Sequence, residues 1–296
     1  MIAFLRTWLA LVLLAVFGAA PAHAETLPVV ATFSILADLV KNVGGERVVV
    51  TSLVGPDGDA HVYAPSPGDA RALTDAKVVF VNGLGFEGWI ARLVQASGTR
   101  APVVVASRGV TAHVESGDGP RGPDPHAWQS VANAEIYVAN IRDALVAADP
   151  AGKTSYERNA AAYLATLSAL DREVRETIAS IPPEHRKIIT THDAFGYFGA
   201  AYGVDFIAPE GVSTDSEPSA GDIARIIAQI RRQKIPAVFL ENVTDPRLLE
   251  RIAAESGARV GGTLYSDALT GPDGDAPTYV AMMRHNVKAL AAALAR

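Results

Sequence analysis

The chain has 296 residues, with 26 lysines and arginines against 32 aspartates and glutamates, and a formal net charge of −6. That mild acidity excludes the basic stripe a nucleic-acid partner would need. The absence of cysteine excludes a disulfide framework and a lipid-attachment thiol.

In chain order, the first segment reads as a signal peptide spanning residues 1–24. Arg6 supplies its charge, Trp8 to Phe17 its apolar run, and Ala22-His23-Ala24 its small-x-small cleavage site. The apolar run is short for a membrane span and no later stretch qualifies, so a freely soluble periplasmic protein beginning near Glu25 is expected. Loss of Arg6 makes the net charge −7. The remaining chain, roughly 270 residues, suffices for two lobes of ordinary domain size.

Pro28–Thr32, Val48–Leu53, Val78–Asn82 and Val103–Ala106 are short β-branched runs that read as buried parallel strands. Ile35–Val43, Pro67–Asp75 and Trp89–Ser97 read as the helices between them. Gly109 to Pro125, rich in glycine and proline, is expected to be a mobile surface loop. Then the pattern changes. Tyr156, Ala160, Tyr163, Leu167, Leu170, Val174 and Ile178 recur at spacings of three and four, which predicts an amphipathic helix from about Thr154 to Ala179. Pro182-Pro183 prevents its continuation. At 1.5 Å per residue it would reach about 39 Å, the span of two small lobes. Beyond it the alternation returns, with strands at Lys187–Thr191, Val204–Ile207, Ala237–Leu240 and Arg259–Leu264. Ala220–Gln233, Pro246–Glu255 and Pro277–Leu294 read as helices. The expected fold is α/β: an N-terminal lobe (25–150), a rigid linking helix (151–181) and a C-terminal lobe (182–296), both lobes built on parallel sheets.

Three of the seven histidines fall in loops that follow predicted strands: His61, His126 and His192. Asp267 occupies the same kind of position after the last strand. Ligands of open α/β sheets bind at such carboxyl ends. Three imidazoles and a carboxylate make a complete tetrahedral zinc shell. Spacings of 65, 66 and 75 residues exclude a local zinc finger. The metal would lie in a cleft between the lobes, with two ligands from each. Asp59, Asp124 and Glu241 are candidates to orient the imidazoles. Free imidazole titrates near 6.5, so metal affinity is expected to fall below about pH 6. His185 and His113 are expected to be exposed, and His285 to be a surface or packing residue. No H-E-x-x-H, Walker A loop or G-x-S-x-G elbow is present.

The chain resembles the metal-binding solute-binding proteins of ABC transporters, the zinc/manganese helical-spine group known as cluster A-I. The resemblance spans the mature chain and rests on Asp59-Ala60-His61-Val62-Tyr63, Asn82-Gly83-Leu84-Gly85-Phe86-Glu87-Gly88-Trp89, Asp124-Pro125-His126-Ala127-Trp128, Thr191-His192-Asp193-Ala194-Phe195-Gly196-Tyr197-Phe198 and Tyr265-Ser266-Asp267-Ala268-Leu269. It implies two α/β lobes on one long helix, with His61, His126, His192 and Asp267 as the ligands of one Zn²⁺. It implies a monomer without catalytic activity that hands zinc to an inner-membrane ABC permease, with a periplasmic zinc chaperone as a further partner. Manganese members of the group tend to carry glutamate at the third ligand position, and this chain has His192, which suits zinc. A manganese or mixed-metal receptor is the first alternative. A secreted zinc hydrolase is the second, and Asp267 as fourth ligand argues against it by closing the site to water.

Overall fold

Two four-stranded parallel sheets carry the molecule. The computed structural model describes residues 26–113 and 122–294; the signal-peptide reading and the middle of the Gly109 to Pro125 loop lie outside the described residues. The first sheet consists of β1 (Leu27–Ala31), β2 (Val48–Ser52), β3 (Val78–Val81) and β4 (Val103–Val105), in the order β2-β1-β3-β4. Its register pairs Leu27 with Val48 and Val29 with Val78. The second sheet repeats the order: β5 (Lys187–Ile189), β6 (Asp205–Ile207), β7 (Ala237–Glu241) and β8 (Arg259–Leu264) run β6-β5-β7-β8. The central strands β1, β3, β5 and β7 are the most buried, on both faces, as parallel strands under helices must be, while the edge strands β2 and β4 are partly exposed.

Helices α1 (Ser34–Gly44), α2 (Pro67–Asp75) and α3 (Ile90–Ser97) belong to the first lobe. Ser66 and Asp69 form a capping box that starts α2, with Pro67 at its first position. Next come α4 (Val131–Ala148) and α5 (Lys153–Ala179), then α6 (Gly196–Tyr202), α7 (Ala220–Gln233), α8 (Pro246–Ser256) and α9 (Tyr279–Leu294). A second capping box, Ser219 with Asp222, starts α7.

The spine is α5. Its buried residues are Tyr156, Ala160, Tyr163, Leu167, Leu170, Val174 and Ile178, the stripe read from the sequence. It packs against α1 and α4 of the first lobe and α6 and α9 of the second. One hydrophobic core therefore runs from the first sheet through the spine into the second lobe, including Ile188, Phe239 and Leu264. A smaller separate cluster lies under α7 and α8, around Ile226, Ile230, Val238 and Ile252.

Some elements differ from the sequence reading. Helix α4 has no counterpart there, because alanines and apolar residues occur on all its faces and leave no clean stripe. Strand β5 ends at Ile189 instead of Thr191, because the Thr191 and His192 N–H groups turn to the Glu241 side chain. Helix α9 starts at Tyr279 instead of Pro277, where Asp38 of α1 accepts the Tyr279 N–H. His185 is half-buried, its Nδ1 3.0 Å from the Leu294 carbonyl. Its turn packs against the end of α9, a contact invisible to local pattern.

Candidate metal centre

His61 follows β2, His126 follows β4, His192 follows β5 and Asp267 follows β8. The carboxyl ends of the two sheets meet at these loops, beside the switch points β1/β3 and β5/β7. One ligand atom from each of the four residues falls within 4.8 Å of all the others. His61 Nε2 and His126 Nε2 are 3.2 Å apart. Asp267 Oδ2 is 3.2 Å from Nε2 of both His61 and His192, and Asp267 Oδ1 is 3.6 Å from His126 Nε2. His126, His192 and Asp267 are fully buried.

A carboxylate braces each of the three histidine loops. Asp124 Oδ1 accepts the His126 backbone N–H at 2.9 Å and lies 2.8 Å from its ring Nδ1, which turns Nε2 inward. Glu241 does the same for His192. Its Oε1 accepts the Thr191 and His192 N–H groups, and its Oε2 lies 2.7 Å from Nδ1, off the ideal hydrogen-bond line. Asp59 acts differently: Oδ1 accepts the His61 backbone N–H, while Oδ2 accepts the Thr214 hydroxyl from the other lobe. It shapes the turn and does not reach the ring.

The Asn82–Trp89 segment is the floor of the site. Buried Glu87 accepts the Thr32 hydroxyl and the Asn82 N–H, and Asn82 Nδ2 donates to the Pro125 carbonyl beside His126. Gly83, Leu84 and Gly85 all have positive φ, a path that two glycines make accessible. The turn delivers Phe86, whose ring meets His61 edge-on at 4.7 Å between centroids. Trp89 Nε1 donates to the Ala60 carbonyl.

This environment governs protonation. Burial disfavours an imidazolium at His126, yet the Asp267 and Asp124 carboxyl groups outweigh it and raise the ring to about 9. Burial likewise opposes a proton on His192, and Glu241 with Asp267 hold it well above the ordinary imidazole range. Burial pushes Asp267 up, but the two imidazolium charges win and keep it well below the usual carboxylate range. The metal-free chain thus keeps protons on two rings at neutral pH, where a divalent cation would put its own charge. Asp267 Oδ1 is buried without a hydrogen-bond partner among the described residues. Three convergent Nε2 atoms and that oxygen suit a cation.

Among the described residues the other histidines do not join the cluster. His285 Nε2 is 3.1 Å from the Thr263 carbonyl, and its ring packs on Tyr265. His113, expected to be exposed, is half-buried because its ring stacks on Tyr197 at 4.1 Å.

A family model described as zinc-uptake complex component A, periplasmic, matches residues 29–293. The chain belongs to the ZnuA family of metal ABC-transporter substrate-binding proteins. It is 37% identical over 272 residues to the manganese-binding lipoprotein MntA of Halalkalibacterium halodurans, covering 92% of this chain and 90% of that one. It is 35% identical over 270 residues to the iron-binding protein YfeA of Yersinia pestis, covering 90% and 86%. Among solved structures, the periplasmic zinc-binding protein TroA of Treponema pallidum superposes with a TM-score of 0.87 at 33% identity, covering 92% of this chain and all of that one. A manganese-bound mutant of the periplasmic metal-binding protein of Candidatus Liberibacter asiaticus gives 0.84 at 31% identity, covering 91% and 100%. ZnuA-family proteins are receptors that serve an ABC transporter, not enzymes, so the hydrolase reading falls. Among the described residues no helix is long and apolar enough to cross a membrane.

Proposed function

We propose that the protein is a periplasmic zinc receptor, which binds one Zn²⁺ per chain through His61, His126, His192 and Asp267 and delivers it to an inner-membrane ABC importer. The observation that carries this reading is the convergence of three imidazole Nε2 atoms on one carboxylate in a buried pocket. Imidazole favours zinc over manganese, and the Irving–Williams order favours it again. The reading includes cleavage after residue 24, a soluble monomer of two lobes (25–150 and 182–296) on a linking segment (151–181), and handover from a periplasmic zinc chaperone. The 296 residues hold no cysteine to carry a lipid.

One observation favours manganese or a mixed-metal role as the second reading. Both Asp267 oxygens face imidazole nitrogens, at 3.2 Å and 3.6 Å. A bidentate carboxylate would raise the coordination number to five, which manganese tolerates well. The relatives include proteins named for manganese and for iron.

Competition titration of the purified, metal-free chain with Zn²⁺ and Mn²⁺ decides between them. Zinc is expected to win by orders of magnitude, and His192→Glu to narrow the gap. Preference for manganese in the wild-type chain would overturn the zinc reading. His126→Ala is expected to weaken zinc binding at least tenfold, about 1.4 kcal/mol; undiminished binding would remove His126 from the site.

A further inference from the structure

The carbonyl of Ser266, the residue before Asp267, accepts two side-chain hydrogen bonds from the opposite lobe. Trp128 Nε1–H donates at 2.9 Å and Gln129 Nε2–H at 2.7 Å. All three residues are completely buried. Trp128 is itself held from the far side: the Tyr279 hydroxyl of α9 donates to its carbonyl at 2.7 Å, and its ring packs on Phe33 and Phe86. Both donors sit on the single turn Ala127–Gln129 that directly follows His126. A short path therefore joins the His126 ring in one lobe to the Asp267 carboxylate in the other, and it contains no exposed link.

Gln129 makes this contact at a local cost. Its Oε1 is buried and has no hydrogen-bond partner among the described residues. A methionine would fill similar volume without stranding a polar atom. A residue that breaks the rule of buried polar satisfaction points to a role other than stability. The Ser266 carbonyl shows the converse. It has two lone pairs and receives two donors, so its orientation is fully determined, and the adjoining Asp267 backbone follows.

We propose that Gln129, assisted by Trp128, is a positioning residue for the bound cation. By fixing the Ser266 carbonyl from the opposite lobe it sets the Asp267 carboxylate against the three imidazoles and slows escape of the ion. The inference rests on the reading that His61, His126, His192 and Asp267 hold a divalent cation.

The test is zinc release from the loaded, full-length mature chain into excess chelator, followed in time. Gln129→Met removes the donor and keeps the volume; Gln129→Leu removes it with a shorter apolar side chain. Both are expected to release zinc about tenfold faster or more, the usual consequence of losing a group that supports a metal ligand. X-ray absorption should show altered oxygen coordination at the zinc. Asn159→Ala is the control: it removes another side-chain bond to backbone, Asn159 Nδ2 to the Val43 carbonyl, which joins the spine to the end of α1 and touches none of the four ligand residues. It should lower the metal-free melting point without faster release. Should the Gln129 variants fail to fold, Trp128→Phe, which deletes one donor and keeps an aromatic ring, carries the test by the same criteria. Release within twofold of wild type overturns the inference. So does acceleration that Asn159→Ala shares in proportion to its lowered melting point. A wild-type chain that retains no zinc would overturn the metal reading and this inference with it.

Discussion

His126 and His192 hold their protons far more tightly in the metal-free chain than free imidazole does, and this sets the direction of two pH effects. The sequence placed the fall in metal affinity below about pH 6. With His126 raised to about 9 and His192 raised as well, the cation must displace protons even at neutral pH. Zinc affinity is therefore expected to climb throughout pH 6.5 to 9, with more than one proton released per zinc near pH 7. Calorimetry in buffers of different ionisation enthalpy measures that release, and a flat affinity across the window would refute it. Stability of the metal-free fold runs the other way. The raised His126 pKa stabilises the fold below the unfolded value near 6.5, and that contribution fades as pH rises through about 9. Asp267, depressed, stabilises above its ordinary value near 3.8 and loses that contribution as pH falls through its lowered pKa. Glu210 adds a proton in the neutral range, because burial pushes it up to about 7 against the pull of His192. The four central residues were legible because each follows a strand in a loop. Asp124 and Glu241 were legible as partners by position alone. Gln129 was not, since nothing local distinguishes a buried glutamine whose partner lies 137 residues away.

Helix α6 shows what a short element can do for a site it does not enter. Its first residue, Gly196, presses on Asp124: a Cβ there would stand 2.7 Å from Asp124 Oδ2. Its second residue, Tyr197, donates its hydroxyl to the Asp124 carbonyl and accepts the His113 N–H. The C-terminal lobe thereby clamps the loop that bears His126. In Gly196→Ala the helix itself gains up to about 1 kcal/mol of intrinsic propensity. The displaced Asp124 carboxylate should nonetheless lower zinc affinity about tenfold. Parallel titration and melting of the metal-free protein separate the two effects; undiminished affinity would mean that Asp124 does not depend on this contact. At the same scale, the sequence revealed α5 well because its exposed faces are charged. It hid α4, whose half-buried and exposed positions include Ile136, Val146 and several alanines, so that its buried stripe stands out little from the rest.

The whole molecule is braced against hinge motion. The spine packs on both lobes through one continuous core, and links across the cleft such as Thr214 to Asp59 and Asn242 to Asp57 lie at its rim. Metal binding is expected to order the rim loops without closing the lobes. Small-angle scattering should give radii of gyration for metal-free and zinc-loaded protein within about 0.5 Å of each other, on a total near 19 Å. A larger contraction would show that the spine bends. Hydrogen exchange should slow at residues 55–62 and 208–217 and stay unchanged along α5. The two-lobe plan was legible in the alternation of strands and helices. The bracing was not, because it depends on which faces meet across the spine.

The Trp128 ring has an optical consequence. Its centroid lies 5.4 Å from that of His126, and Trp89, the other tryptophan among the described residues, bonds to the residue before His61. A protonated imidazole drains an excited indole; one coordinated to a closed-shell cation does so less. Replacing the His126 proton by zinc should brighten the intrinsic emission, and, since Trp128 is fully buried throughout, leave its wavelength unmoved. The protein would then report its own cargo in a cuvette, without any added dye.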